Sequence, residues 1–350
     1  MNNLKKIQGL LIAGFCSFCS CMDKYLPEQM DAFDSKAGYT QTMYRPVLGR
    51  TTVFNNNFNT GSSTLPFTFE ITGIMRSDGS PAPELTEFYP VTVWKTPYFG
   101  NEKSLVEIEA KRDIEYRQLF QVRKHTGEFI MWSDAKSSFV QCAPLGGYIF
   151  DVLAQNSGGY KYFTKFNLIP VREIDFEPSN TLETGNSVQE YVTPATVNQV
   201  RFEKSGEGGD GGDGFRNYYM TTEDIQVFFR NITDNQEEEK TLTFRFFGPD
   251  YQPIHPDRFN LTDWETLVHG FDMEKTGEYV RYKVAYPIPL VNLITDYTNR
   301  TGDRANVVFS WDYMPMVGYR SVASISMDFA IYTQGRWEMI FVFANGYPMF

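Results

Sequence analysis

The sequence predicts an all-β protein, with two β-sandwich domains of the immunoglobulin-like kind in tandem and few short helices. Aromatic residues make up 16% of the 350 residues, and they accompany Val, Ile and Thr in short runs broken by Gly, Pro, Asn and Asp. That composition is typical of strands and turns. Large apolar residues alternate with polar or small ones in runs such as 279–286 and 324–331. Since successive side chains of a strand point to opposite faces, each run offers one apolar face for a second sheet to cover.

The spacing of these runs indicates two folded domains. Residues 46–178 hold about seven short strand-like runs separated by turn residues, a pattern that favours a β-sandwich. Residues 179–197 lack strand periodicity, so they are predicted to be a linker. Residues 198–350 are predicted to form a second β-rich domain. Its last run, 337–343, is apolar at nearly every position and should lie in the interior of a sheet.

Two short segments have the spacing of a helix start. Thr262 and Glu265 stand three residues apart, as in a capping box, and predict a helix of two turns at most. Ser104 and Glu107 have the same spacing. The residues after Ser104 also alternate as a strand would, so helix and strand both stay open for that segment.

The first residues have the features of a secretory signal peptide, predicted to span 1–20. Lys5 and Lys6 precede an apolar stretch over 7–18, which is shorter than the roughly 20 residues that a membrane-spanning helix needs. The sequence Phe-Cys-Ser-Cys at 18–21 then resembles a bacterial lipobox. The resemblance implies cleavage before Cys21 and a thioether-linked lipid on its sulfur, with polar residues 21–45 as a tether. The alternative is an ordinary signal peptide that is rich in cysteine.

Export and lipidation would leave an acidic body with a single cysteine. Cleavage after residue 20 removes two lysines, which leaves 30 basic residues against 43 acidic ones and a net charge of −13. Such a charge repels nucleic acid, so we expect no nucleic-acid partner. Cys142 would be the only cysteine of the body, so no disulfide can form within it. We expect Cys142 to be a small buried residue.

No segment has the signature of an enzyme or of a cofactor site. The loop at 205–214 resembles one calcium-binding Gly/Asp repeat, with Asp210 and Asp213 as weak candidate ligands. Because one copy supplies only part of a coordination shell, we expect a flexible surface loop here, with a calcium site as the alternative. The three histidines lack metal-ligand spacing, and no Gly-x-Ser-x-Gly elbow occurs. We therefore expect a non-enzymatic protein without a cofactor. A pair of carboxylates acting as a glycoside hydrolase stays open as an alternative.

Aromatic side chains are the candidate ligand-binding groups. Flat aromatic rings pack on the C–H groups of sugars, although tryptophan and tyrosine also fill cores. Trp264 is flanked by Asp263 and Glu265 on the predicted short helix, and Trp311 lies near Tyr313. We predict Trp264, Trp311 and Tyr313 as surface residues that contact a ligand, with a place in the core as the alternative.

Several segments, spread over nearly the whole mature chain, resemble a family of uncharacterised Bacteroidota lipoproteins with a domain of unknown function. The segments are RPVLGR at 45–50, GEFIMW at 127–132, GYIFDV at 147–152, NSGG at 156–159, RE at 172–173, FEPSN at 176–180, YPIPL at 286–290 and WEMIF at 337–341.

The resemblance implies a lipid-anchored protein of the outer membrane, on its periplasmic or cell-surface side. It also implies association with SusC/SusD-like transporters, in the capture of glycans or other nutrients. It names no catalytic residue. We therefore expect an accessory glycan-binding or nutrient-binding component of an outer-membrane uptake system. The alternative is a structural or assembly lipoprotein that contacts other envelope proteins. A binder should present a concave site lined by Trp or Tyr, and a scaffold should present a flat apolar patch.

Overall fold

The structure is a computed structural model that describes residues 30–182, 186–204, 216–233, 239–316 and 318–350. Within these ranges the chain is mostly β, with several sheets and only two short α-helices, so the all-β prediction is confirmed. The predicted signal peptide, Cys21, Asp210 and Asp213 lie outside the described residues.

Among its described residues, from 30 onwards, the first half of the chain contains eleven strands and both α-helices. The strands are β1 (Gly38–Tyr39), β2 (Met43–Tyr44), β3 (Thr52–Phe54), β4 (Phe58–Asn59), β5 (Thr68–Arg76), β6 (Tyr89–Trp94), β7 (Arg112–Arg117), β8 (Phe120–Val122), β9 (Phe129–Met131), β10 (Tyr148–Asn156) and β11 (Gly159–Leu168), and the helices are α1 (Pro83–Thr86) and α2 (Leu105–Ala110). In α2 the hydroxyl of Ser104 accepts a hydrogen bond from the amide of Glu107, at 3.1 Å. This N-cap decides the open choice at that segment in favour of a helix.

The largest sheet of this half has four strands in the order β2-β11-β10-β5, with β2 parallel to β11 and the other pairs antiparallel. A three-stranded sheet, β3-β9-β8, and the pairs β6-β7 and β1-β4 accompany it. Aromatic side chains from both larger sheets pack together, since the ring of Phe129 lies 5.2 Å from Phe150 and 4.7 Å from Tyr44. They form one hydrophobic core of this half.

The prediction that residues up to 45 form a tether is wrong for the described part of that segment. Met43–Tyr44 pairs with β11, and Tyr44 is fully buried. Further towards the N-terminus, the Asn156 side chain donates a hydrogen bond to the carbonyl of Ala32, at 2.9 Å. The segment looks polar in composition, but its few aromatic residues insert into the core, and their burial holds the chain against the body.

The second half contains eleven further strands and two 3₁₀ turns, Thr222–Asp224 and Pro256–Arg258, among its described residues. The strands are β12 (Phe176–Glu177), β13 (Thr196–Asn198), β14 (Arg201–Lys204), β15 (Arg216–Tyr219), β16 (Ile225–Asn231), β17 (Thr241–Phe247), β18 (Gly270–Lys275), β19 (Tyr279–Val284), β20 (Ala305–Met316), β21 (Tyr319–Ile331) and β22 (Arg336–Phe343).

A five-stranded sheet in the order β16-β22-β17-β19-β18 packs against a second sheet, in which β21 pairs with β12, β13 and β20. β22 lies parallel to β17 and antiparallel to β16, so the apolar run at 337–343 is interior to its sheet as predicted. Phe309 of β20 is fully buried between the sheets, and its ring centroid lies 4.8 Å from that of Phe246 and 5.2 Å from that of Phe341.

Residues 176–182 and 186–198 are attached to the sheets of the second half. Phe176–Glu177 and Thr196–Asn198 both pair with β21, and Val192 forms a bridge to Val227. The segment predicted as a linker thus contributes backbone hydrogen bonds and one buried valine to that half. The domain boundaries themselves stay a prediction.

The helix predicted at 262–265 is wrong. The Thr262 hydroxyl accepts a hydrogen bond from the amide of Ser310 at 2.8 Å, so it caps no helix. Asp263 instead accepts hydrogen bonds from the amides of Glu265 and Thr266, at 3.2 Å each, which makes a turn. A contact across 48 residues therefore overrides the local capping-box spacing.

Candidate functional site

The three aromatic residues predicted at the surface lie in the core of the second half. Trp264, Trp311 and Tyr313 are exposed by only 7%, 0% and 3%. The indole nitrogen of Trp311 donates a hydrogen bond to the carbonyl of Met349 at 2.7 Å, and the Tyr313 hydroxyl donates one to Gln199 at 2.9 Å. The predicted surface position is wrong. The alternation of β20 directs Trp311 and Tyr313 to a buried face, and Trp264 packs on Phe309 of the same core, with ring centroids 5.6 Å apart. Rings buried in this way offer no face to a sugar.

Two other tyrosines are exposed side by side on the largest sheet of the first half. Tyr160 and Tyr162, both in β11, are exposed by 68% and 55%. Their ring centroids lie 5.9 Å apart, and the ring planes are at 81°. Lys161, between them, points to the other face, where its ammonium donates a hydrogen bond to the carbonyl of Ala37 at 3.1 Å. We call Tyr160 and Tyr162 the tyrosine pair.

Polar side chains extend the face of the tyrosine pair across the sheet. Residues directly opposite one another on neighbouring strands share a face. The strand register therefore gives two rows on this face, Thr68 with Gln155 and Tyr160, and Glu70 with Leu153 and Tyr162. Within the part of the chain that the structure describes, the side chains of Gln155 and Glu70 form no hydrogen bond or ion pair. A free amide thus lies opposite Tyr160, and a free carboxylate lies on the same face one strand further across the sheet.

Sequence reasoning missed the tyrosine pair, although a signal for it exists. The turn 157–159 is followed by tyrosines two residues apart, separated by a lysine. In a strand this spacing places both rings on one face. The sequence does not show which face is covered, because that depends on where the other sheets pack.

A small pocket lies where the two halves of the chain meet. Tyr98, from the loop after β6, lies against His269, which precedes β18. The Tyr98 hydroxyl is hydrogen-bonded to Nδ1 of His269, and Nε2 of His269 lies 2.9 Å from the carbonyl oxygen of Glu102. Since a carbonyl oxygen only accepts, Nε2 of His269 carries a hydrogen and donates it to Glu102. We call this cavity of about 30 Å³ the junction pocket.

A buried ion pair supports the Tyr98 side of the junction pocket. The side chain of Glu102 is fully buried, and it accepts hydrogen bonds from Lys111 and from the amides of Phe99 and Gly100. Burial raises the pKa of Glu102, but the hydrogen bond from Lys111 and the amide of Phe99 outweigh it and lower the pKa to about 2. Glu102 is therefore a carboxylate at neutral pH, and it holds the loop whose carbonyl binds His269. Burial also raises the pKa of Tyr98.

A second polar cluster joins the halves further along their contact. Glu177 is bound by the guanidinium groups of Arg50, at 2.7 Å, and of Arg304. The hydroxyl of Tyr332 donates a hydrogen bond to the same carboxylate, at 3.2 Å. The guanidinium of Arg50 also lies 4.9 Å from the centre of the Tyr332 ring. Arg50 lies 127 positions from Glu177 in the sequence, and Tyr332 lies 155 positions from it. These contacts therefore fix the two halves against each other.

The comparison with known families gives one match. A family described as a domain of unknown function, DUF5007, matches residues 58–350. The chain belongs to this family. The expected resemblance to a family of unknown function is thereby confirmed, and the match covers every residue of the tyrosine pair and of the junction pocket. No curated protein and no solved structure matches the chain.

Two further findings concern the described residues only. None of their helices is long and apolar enough to cross a membrane. They contain no group of three or more His, Cys, Asp or Glu side chains that would hold a metal ion. Cys142 is buried as expected, and this burial raises the pKa of its thiol.

Proposed function

We propose that this protein is a non-enzymatic, lipid-anchored component of the cell envelope that binds a glycan at the tyrosine pair. The observation that carries the proposal is the exposure of Tyr160 and Tyr162 beside a free amide and a free carboxylate. Large aromatic rings are normally buried, since each removes about 150–250 Å² from water. Two adjacent exposed rings with hydrogen-bonding neighbours are the arrangement that a sugar requires, because its C–H face is apolar and its rim carries hydroxyls.

The anchor in this proposal is a lipid on Cys21. The signal-like start of the sequence and its lipobox-like residues support it. An extended chain spans at most about 3.6 Å per residue, so the segment from Cys21 to Ala32 would keep the body within roughly 40 Å of the membrane. The family resemblance supports SusC/SusD-like transport proteins as partners, which would take over the captured glycan.

Affinity electrophoresis of the full chain against a panel of soluble glycans tests the binding site. We expect at least one glycan to retard the protein, and the double variant Tyr160→Ala, Tyr162→Ala to bind at least about tenfold more weakly, as when hot-spot aromatics are removed. Tyr116→Ala is the matched control, because Tyr116 is exposed by 71% on another sheet. Equal retardation of wild type and double variant, or no retardation by any glycan, would refute the glycan proposal.

Replacement of the predicted lipidated cysteine tests the location separately. Cys21→Ala should release the protein from the membrane fraction and abolish incorporation of labelled palmitate. Unchanged membrane association, mass and labelling would contradict the lipid anchor and would leave the glycan site untouched.

A structural or assembly role is the second candidate, favoured by an apolar patch on the β6-β7 hairpin. Phe88, Ile114 and Tyr116 are exposed by 64%, 64% and 71%. Ile114 and Tyr116 lie on the face opposite Val91 and Val93, which are buried. If this patch contacts an envelope protein, Tyr116→Ala should weaken that association and leave glycan binding unchanged.

A further inference from the structure

The junction pocket is a concave site, distinct from the tyrosine pair. Its walls are mainly apolar and come from the second half of the chain, including Val268, Ala285, Ile288 and Leu290. None of the described residues lining it is an Asp, Glu, Lys or Arg. Both ring nitrogens of His269 are engaged, one with the hydroxyl of Tyr98 and the other with the carbonyl of Glu102. An ion would lose its hydration without finding an opposite charge, so the pocket suits a neutral group.

Most of the polar side chains that line the pocket are already hydrogen-bonded. Tyr98 and His269 bind each other, and the hydroxyl of Thr298 is 3.0 Å from the carbonyl of Leu293. Tyr297 stacks on His269, with ring centroids 4.8 Å apart and planes at 2°. Among the described residues its hydroxyl has no hydrogen-bond partner. Among the side chains that line the pocket, the hydroxyl of Tyr297 is therefore the donor that remains for a ligand.

The volume of the pocket limits the size of the group that enters it. A single water needs about 10–15 Å³ of such space. The roughly 30 Å³ of the junction pocket therefore admits a group of two or three water-sized atoms. A whole sugar ring is too large, whereas a small substituent of a sugar fits.

We propose that the junction pocket binds the acetyl group of an acetylated ligand. The methyl group would pack on the apolar wall near Ile288 and Leu290, and the carbonyl oxygen would accept a hydrogen bond from the hydroxyl of Tyr297. An acetyl group has three non-hydrogen atoms, one acceptor and no charge, so it matches the pocket in size, polarity and charge. That its carrier is a sugar, through an N-acetyl or O-acetyl link, rests on the proposed glycan function.

Saturation-transfer NMR on the full chain tests this proposal with four probes: N-acetylglucosamine, an O-acetylated glucoside, glucose and N-methylacetamide. We expect the acetyl methyl protons to receive the largest saturation in each acetylated probe, and glucose to receive none at the same concentration. Binding of only one of the two sugars would assign the linkage. Binding of N-methylacetamide without either sugar would support the acetyl pocket and refute the sugar as its carrier.

Variants tie the signal to the pocket. Tyr297→Phe keeps the ring on His269 and removes the hydroxyl, so it should weaken binding of N-acetylglucosamine by about tenfold, the loss expected for one hydrogen bond. Ala285→Leu should block the pocket, since Ala285 is buried in its lining. Tyr116→Phe is the control, and thermal melts would verify that each variant is folded.

Two results would overturn the acetyl proposal. The first is equal saturation of glucose and N-acetylglucosamine, and the second is unchanged binding by Tyr297→Phe together with folded Ala285→Leu. The double variant Tyr160→Ala, Tyr162→Ala should still bind N-acetylglucosamine in this assay. The experiments can therefore refute glycan binding at the tyrosine pair and acetyl binding at the junction pocket independently.

Discussion

Replacing Glu102 by glutamine should destabilise the protein at neutral pH much more than at acid pH. The lowering of the Glu102 pKa from its ordinary value of 4.5 to about 2 means that the folded state favours the carboxylate. Each tenfold change in proton affinity is worth about 1.4 kcal/mol, so the lowering corresponds to at most about 3 kcal/mol of stability. This value agrees with the loss of about 3–5 kcal/mol that follows the removal of one partner from a buried ion pair. Glu102→Gln leaves Lys111, whose side chain is only 18% exposed, without its carboxylate.

The sign of the pH dependence follows from the direction of the pKa. A carboxylate with a lowered pKa contributes its full stability above about pH 4.5 and loses it as the pH falls towards about 2. The free energy of unfolding can be measured with guanidinium at about pH 7, pH 5 and pH 3. At about pH 7 it should be about 3 kcal/mol lower for Glu102→Gln than for wild type, and this gap should shrink at about pH 3. A gap that is the same at all three, or absent at pH 7, would refute the electrostatic reasoning.

Three other substitutions test the packing. Phe309→Ala should lower the free energy of unfolding by about 3–5 kcal/mol, and a loss below about 1 kcal/mol would contradict its central place in the core. Trp311→Phe removes the hydrogen bond to Met349 and should cost about 1 kcal/mol, with faster amide exchange at the C-terminus as the readout. In Gly158→Ala a new Cβ would lie 2.4 Å from the carbonyl carbon of Ala32. Limited proteolysis should then cut near residue 32 sooner than in wild type, and an unchanged digestion rate would count against that contact.

The alternating patterns predicted strands well, because a strand with one buried face needs an apolar residue at every second position. The run at 279–286 contains β19 (Tyr279–Val284), and 324–331 lies within β21. The same alternation indicates that Trp311 is buried, because Trp311 shares its face of the strand with buried Val307 and Phe309. The acidic neighbours of a ring are a poorer guide, since adjacent residues of a strand lie on opposite faces.

Features that depend on distant partners could not be predicted. Tyr98 and His269 are 171 positions apart, so the junction pocket has no local signature. The residues around His269 in the sequence do not indicate its place at the contact of the two halves. The tyrosine pair is intermediate, because its spacing is local, whereas its exposure depends on which face the other sheets cover.

The strand order of the second half governs when that half can be completed during folding. β16 and β17 follow each other in the chain, yet neither pairs with the other, because both pair with β22. Until residues 336–343 are inserted between them, two apolar strands have unsatisfied edges, and each such edge is a template for pairing with another chain. A newly synthesised molecule is thus most vulnerable to aggregation before β22 docks. Chaperones that shield β-edges should accordingly raise its yield more than conditions that favour early, local folding.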